Sequence, residues 1–331
     1  MKTMNKKRLF ATVFCVVVLI GVVYACLKYF DKAGEAMEYL RDANGSVLLL
    51  LAPFTFVMWW AAGRIWYPYL KQDGLSVGTL ASIQYEVNFV DTVLPFYNLT
   101  GFGYAAARLK AFNIPGGRAG GMIVLRYVFS IVTKWIEIAV AMVILVAIGK
   151  TGDMPTWIVW GECLLIFAMV AGFILLYIAF HNKIRVPKRL LCSNFWHKPA
   201  EKAQKWLDNL FSALDIAFED KGAFYQSFVA GLVYSLMEVI PYWVVATALG
   251  HPEILLQIIV ASGAAILVGV FTPTPMGIGG FDAVMILFMS GMGVNAALIS
   301  IITVTTRILV LAISVCAGFP FWVNGMRNYW R

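Results

Sequence analysis

Long apolar runs and short polar segments alternate along the chain. Leu9–Leu27, Ser46–Trp66, Met122–Gly149, Thr156–Phe180, Ala223–Gly250 and Val294–Phe321 each approach or exceed the roughly 20 residues that an α-helix needs to cross a bilayer. They predict about six spanning helices. Segments such as Cys15–Val23 and Ala264–Phe271 are apolar on every side. A membrane β-barrel would alternate apolar with polar residues instead. The expected fold class is therefore an all-α, polytopic helical bundle.

Two further stretches are apolar but broken. Leu75–Gly121 carries Glu86, Asp91, Pro95, Asn98, Gly101, Gly103, Arg108 and Lys110. Ile254–Met292 is interrupted at Thr272-Pro273-Thr274-Pro275-Met276-Gly277-Ile278-Gly279-Gly280-Phe281-Asp282. Proline and glycine stop helices. Backbone groups freed at membrane depth must be satisfied by protein or by water in a cavity. Both stretches read as re-entrant helix pairs, one entering from each side. They also resemble one another: each holds Pro, then Gly pairs, then a spanning helix with an intramembrane Arg, Arg126 or Arg307. The expectation is one integral membrane domain, 1–331, with repeats at about 46–149 and 223–321 in opposite orientation. Inverted repeats with broken helices meeting mid-membrane are a transporter architecture.

The polar loops set the orientation. Lys2, Lys6, Lys7 and Arg8 precede the first apolar run and place the N-terminus in the cytoplasm. That run reads as an uncleaved first helix. The segment 181–222 has eight Lys/Arg against five Asp/Glu and belongs on the same side, as do Arg327 and Arg331. Within it, Trp206, Leu207, Leu210, Phe211, Leu214 and Phe218 repeat at helical spacing. This is an amphipathic helix, lying either on the inner leaflet or on its own loop. The expected location is a bacterial-type inner membrane, with both termini cytoplasmic.

Composition narrows the function. Only 13% of residues are charged, about half the share of a soluble domain. The net charge of +8 follows from basic cytoplasmic loops, and nothing resembles a nucleic-acid-binding module. The five cysteines form no CxxC and the three histidines have no metal-pair spacing. Neither a metal nor another cofactor is expected, and no GxxxxGK[ST] phosphate loop occurs.

Charges inside apolar segments carry the candidate chemistry. Arg126, Lys134, Glu137, Glu238 and Arg307 each cost a few kcal/mol near the bilayer centre unless paired or hydrated. Lys134 and Glu137 are three apart and either pair with each other or serve a site. Arg126 either snorkels to the interface or serves a site. Arg307 has no nearby charge in sequence, and Glu238 precedes the helix-kinking Pro241. Asp91 and Asp282 flank the two breaks, as helix caps or as counter-charges to Arg108, Arg126 and Arg307. Arg forks match phosphate oxygens. Broken-helix N-termini offer N–H groups to an anion, and carboxylates suit an amine or hydroxyl of the same headgroup. The expected substrate-binding set is Arg108, Arg126, Arg307, Asp91, Asp282, Glu238, Pro95, Pro273, Pro275, Gly277, Gly279 and Gly280.

At these residues the sequence resembles the lysylphosphatidylglycerol synthase transmembrane-region family, a flippase-like membrane domain. Pro95, Gly101, Gly103, Arg108, Asn113-Ile114-Pro115 and Arg126 carry the first signature. Pro275 to Asp282, Gly293-Val294 and Arg307 carry the second. Met276 stands where the family usually has Gly, Asp282 where Glu is common, and Phe96-Tyr97 follow Pro95. The resemblance implies the handling or movement of phospholipids or isoprenoid-linked lipids, without naming the lipid. A translocase is the leading expectation, and an enzyme the lesser one. The alternatives are a membrane-embedded transferase acting on a lipid-linked sugar or headgroup, or a non-catalytic partner of a lipid synthase. A membrane lipid is the expected partner, with a second copy or a lipid-synthesis protein as further associations.

Overall fold

The structure is a computed structural model. It describes residues 41, 43–94, 99–149, 156–182, 185, 197–271 and 279–329. The first apolar run, Pro95, Pro273, Pro275 and Gly277 lie outside the described residues. All regular elements among the described residues are helical: α1 (Gly45–Leu48), α2 (Leu51–Leu70), α3 (Val77–Val93), α4 (Leu99–Ala111), α5 (Gly116–Ala147), α6 (Thr156–His181), α7 (His197–Glu219), α8 (Lys221–Ala248), α9 (Leu255–Phe271), α10 (Gly280–Gly291) and α11 (Ala296–Tyr329), with 3-10 turns before α3 and α9.

Side-chain caps start several helices, since the first turn has N–H groups with no partner in the helix. Ser76 Oγ accepts from Thr79 N at 3.1 Å to open α3, and Asp220 Oδ1 accepts from Gly222 N at 2.8 Å to open α8. Asn295 Oδ1 accepts from Ala297 N at 2.8 Å and opens α11.

Five described segments are long and apolar enough to cross a membrane: Gly45–Asp73, Gly116–Ala147, Lys221–Ala248, Pro252–Gly269 and Ala296–Arg327. The fourth falls where the sequence suggested the first arm of a re-entrant pair. Its length reflects an uninterrupted apolar run up to Phe271, before the Thr272-Pro273 break. Helix α6 exposes Trp160, Leu164, Phe167 and Val170, an apolar surface suited to lipid.

The order of elements recurs. A long helix (α2, α8) leads through a turn with a left-handed glycine (Gly74, φ 77°; Gly250, φ 89°) to a 17-residue helix (α3, α9). After the break comes a short helix, 13 residues in α4 and 12 in α10, and then a long Arg-bearing helix, α5 or α11. The turn between the last two is built alike in both places. Asn113 (φ 62°) and Gly293 (φ 81°) take its left-handed position. Ile114 N donates to Leu109 O at 3.2 Å, and Val294 N donates to Met289 O at 3.1 Å. This is the six-to-one bond that closes a helix C-terminus.

The helices that lead the two series run antiparallel. At one end Asn44 N donates to Ala248 O at 3.0 Å; at the other Ser227 Oγ donates to Ile65 O at 2.8 Å. Packing between the series is reciprocal: α3 lies against α11, and α9 against α5. Two large apolar cores result among the described residues. One gathers Trp66, Leu80, Phe89, Leu109 and Met122; the other gathers Ile138, Val245, Ile258, Met285 and Ile299. The amphipathic α7 packs on the spanning helix α5, with Leu214 and Ala217 buried in the first core. Its apolar stripe thus has a protein partner that sequence spacing alone did not show, while Phe218 stays exposed.

Candidate functional site

Helices from both series surround a partly open polar cavity. Thr55, Met58 and Trp59 of α2, Gln84, Asn88 and Asp91 of α3, and Arg126 of α5 line it from one side. Tyr234, Glu238 and Tyr242 of α8 and Thr306 and Arg307 of α11 line it from the other. Four of the residues expected from sequence, Asp91, Arg126, Glu238 and Arg307, are thereby brought together across up to 216 positions of chain (from Asp91 to Arg307).

The two arginines differ in their surroundings. Arg307 donates from Nε to Asp282 Oδ1 at 3.1 Å, and its guanidinium sits 4.4 Å from the Phe281 ring centroid. Asp282 also accepts from Gly279 N at 3.0 Å, which closes the N-terminus of α10. Arg126 has no carboxylate within 4.0 Å among the described residues. Its guanidinium lies between the rings of Tyr127 and Tyr234, 5.4 and 5.3 Å from their centroids. Nη2 donates to Tyr234 Oη at 3.4 Å, a long bond. Among the described residues this 93% buried cation meets only aromatic rings and a hydroxyl at close range, so no direct counter-charge offsets its burial.

Asp91 does not supply that counter-charge at close range. Its Oδ1 accepts from Gly101 N at 2.7 Å and from Thr100 Oγ1 at 3.1 Å. It therefore caps α4 as Asp282 caps α10. A Cβ at Gly101 would run into the Asp91 carboxylate, so glycine is what admits the cap. Both broken-helix N-termini, which sequence offered as anion seats, are engaged by carboxylates of the chain itself. Gly279 is held at φ 92°, with open space around its Cβ position among the described residues. Glycine serves there for backbone conformation, and Gly280 opens α10 beside it.

Further polar atoms lack partners. Trp59 Nε1, Gln84 Nε2, Arg126 Nε and Thr306 Oγ1 are buried and make no hydrogen bond among the described residues. All four belong to residues that line the cavity, and all four can donate. Buried polar groups are ordinarily satisfied. An occupant rich in acceptors matches this set.

Arg108 is placed elsewhere. Its Nε and Nη2 donate to Glu86 Oε2 at 2.6 Å and Oε1 at 3.1 Å, and Tyr104 Oη donates to Glu86 Oε2 at 2.7 Å. This buried clip ties α3 to α4 and contributes no side chain to the cavity wall. Lys134 stands 3.7 Å from Glu137, one of the two readings the sequence left open, and 3.5 Å from Glu238. Sequence reasoning missed Tyr234, which lies one turn before Glu238 on α8 and touches both it and Arg126. The four-residue spacing was visible; the neighbour on α5 was not.

Residues 10–318 match the lysylphosphatidylglycerol synthase TM region family. The chain belongs to that family. No curated protein and no solved structure matches it. Membership and the membrane-spanning helices together make this an integral membrane protein tied to lipid metabolism.

Proposed function

We propose that the protein is a translocase for a phospholipid or isoprenoid-linked lipid, whose phosphate is seated at Arg126 in the cavity between two inverted halves. The carrying observation is the Arg126 guanidinium, buried on the cavity wall without a carboxylate in ion-pair range among the described residues. A phosphate accepts two parallel N–H bonds from such a fork. Trp59, Gln84 and Thr306 supply further donors from three other helices. Arg307, held by Asp282, is the second cation on the wall, and Glu238 and Asp91 suit a hydroxyl or amine of the headgroup. Acyl or isoprenoid chains stay in the bilayer.

The antiparallel α2 and α8, the matching turns at Asn113 and Gly293, and the reciprocal packing of α3 on α11 and α9 on α5 support inverted halves. Such halves rock around a fixed central site in transporters. The basic loops favour an inner-membrane location with cytoplasmic termini.

Purified protein in vesicles of phosphatidylethanolamine and phosphatidylglycerol tests the reading. A trace of fluorescent phosphatidylglycerol should become accessible from the opposite leaflet faster than in protein-free vesicles, with its chemical structure unchanged. A covalently altered lipid would instead establish a transferase. Unchanged sidedness with unchanged lipid would leave the role of a synthase partner.

A further inference from the structure

Lys134 on α5 lies between two carboxylates. Its Nζ donates to the Ser235 carbonyl oxygen at 2.6 Å and stands 3.7 Å from Glu137 Oε2 and 3.5 Å from Glu238 Oε2. Ser235 Oγ donates to Glu137 Oε1, while Glu137 Oε2 is buried without a hydrogen-bond partner. Tyr234 Oη donates to Glu238 Oε1 at 3.3 Å and accepts from Arg126 Nη2 at 3.4 Å. A continuous polar chain therefore runs from the proposed phosphate seat through Tyr234 and Glu238 to a buried lysine and a second glutamate.

Among the described residues, carboxylates outnumber cations in this region. Arg126, Lys134 and Glu137 come from α5, Glu238 with Tyr234 and Tyr242 from α8, Asp91 from α3, Asp282 from α10 and Arg307 from α11. Helix α2 contributes Thr55, Met58 and Trp59 to the wall, none of which titrates. Three cations thus face four carboxylates, and an anionic headgroup adds another negative charge. A net charge at membrane depth costs several kcal/mol unless neutralised. Glu238 is the carboxylate placed to answer for it. Its side chain is 21% exposed and on the cavity wall, against 7% for the enclosed Glu137, and it shares Tyr234 with Arg126.

We infer that Glu238 takes up a proton together with the lipid headgroup, so that translocation is coupled to proton movement in the same direction. The inference rests on the translocase reading. A proton from water on one side bonds to a Glu238 oxygen as the phosphate settles on Arg126. It leaves to water on the other side when the headgroup departs, and no bond in the lipid changes. Glu137 is enclosed behind Lys134 and Ser235, so the carboxylate that meets the headgroup and the water of the cavity is Glu238.

The test is the steady-state distribution of a trace of fluorescent phosphatidylglycerol in proteoliposomes holding a pH difference of about one unit. One proton per lipid shifts the ratio between leaflets about tenfold toward the alkaline side, because one pH unit is about 1.4 kcal/mol. Collapsing the gradient with a protonophore should restore an even distribution. Glu238→Gln, which binds no proton, should abolish the shift even where some translocation persists, and Glu238→Asp should retain it; melting of both variants checks their folding. An even distribution in wild-type vesicles that do translocate would overturn the coupling and leave the translocase reading intact. Accumulation on the acidic side would also overturn it, by showing that proton and headgroup exclude each other. A wild-type protein that moves no lipid would remove the translocase reading and the coupling with it.

Discussion

Arg307 is bonded to Asp282 through Nε and Oδ1 at 3.1 Å, whereas Arg126, across the same cavity, meets only tyrosines at close range among the described residues. Two arginines that read alike in sequence, each three turns into a long helix, therefore have different expected consequences when removed. Arg307→Met strands the Asp282 carboxylate at about four-fifths burial. It should lower stability by about 1–3 kcal/mol, below the cost of breaking a fully enclosed pair. Arg126→Met strands no close carboxylate and removes a buried cation, so its melting temperature should hold or rise. Thermal unfolding of the two variants in the same detergent checks this. Equal destabilisation would show that Arg126 has a counter-charge after all.

The Glu86–Arg108 clip gives a second expectation. Both side chains are buried, at 2% and 7% exposure, and bonded through two parallel contacts. Arg108→Met alone should cost about 3–5 kcal/mol by leaving Glu86 uncompensated, and Glu86→Leu added to it should recover most of the loss. Lipid movement by the double variant should stay within a few-fold of wild type. A stable double variant with no transport would return Arg108 to the binding site.

Gly101 bears on the capping of α4. In Gly101→Ala the new Cβ enters the space of the Asp91 carboxylate, which must give up its bond to the Gly101 N–H. Overpacking of this kind costs about 1–3 kcal/mol. Melting should fall accordingly, and transport should fall further than stability because Asp91 lines the cavity. A variant with wild-type melting and transport would show that the cap is dispensable.

The proposed inverted halves have a topological signature. Ala111 and Ala296 are exposed residues flanking the two matching turns. In a background with the native cysteines replaced, including the exposed Cys163 and Cys316, Ala111→Cys should react with an impermeant thiol reagent only from the cytoplasmic side. Ala296→Cys should react only from the outside. Labelling of both from one side would contradict the inverted arrangement.

What the sequence displayed and what it hid follow from the range of the interactions. Spanning helices are local: about 20 consecutive apolar residues suffice, and α2, α5, α8 and α11 lie where those runs predict. The Asn113 and Gly293 turns entered the sequence reading only as parts of the family signatures, and their shared left-handed, six-to-one geometry is seen in the structure alone. Asp282 could be named as a partner for Arg307 because both sit in one repeat. Tyr234 could not be matched to Arg126, nor Glu238 to Lys134, because over 100 residues separate each pair. Only helix packing sets those contacts. The apolar stripe of α7 was visible, but no periodicity shows that it meets α5 or that Phe218 stacks on Phe224 of α8.

The central claim is that Arg126 holds the phosphate of the transported lipid, and the most direct measurement is lipid translocation by Arg126→Lys reconstituted at matched folded protein. Lysine keeps the charge and loses the two-pronged donor set, a loss of about 1.5–3 kcal/mol for a charge-assisted bond. The account expects the initial rate of fluorescent phosphatidylglycerol movement to fall about tenfold or more with melting unchanged. A rate equal to wild type in a stably folded Arg126→Lys protein would contradict it.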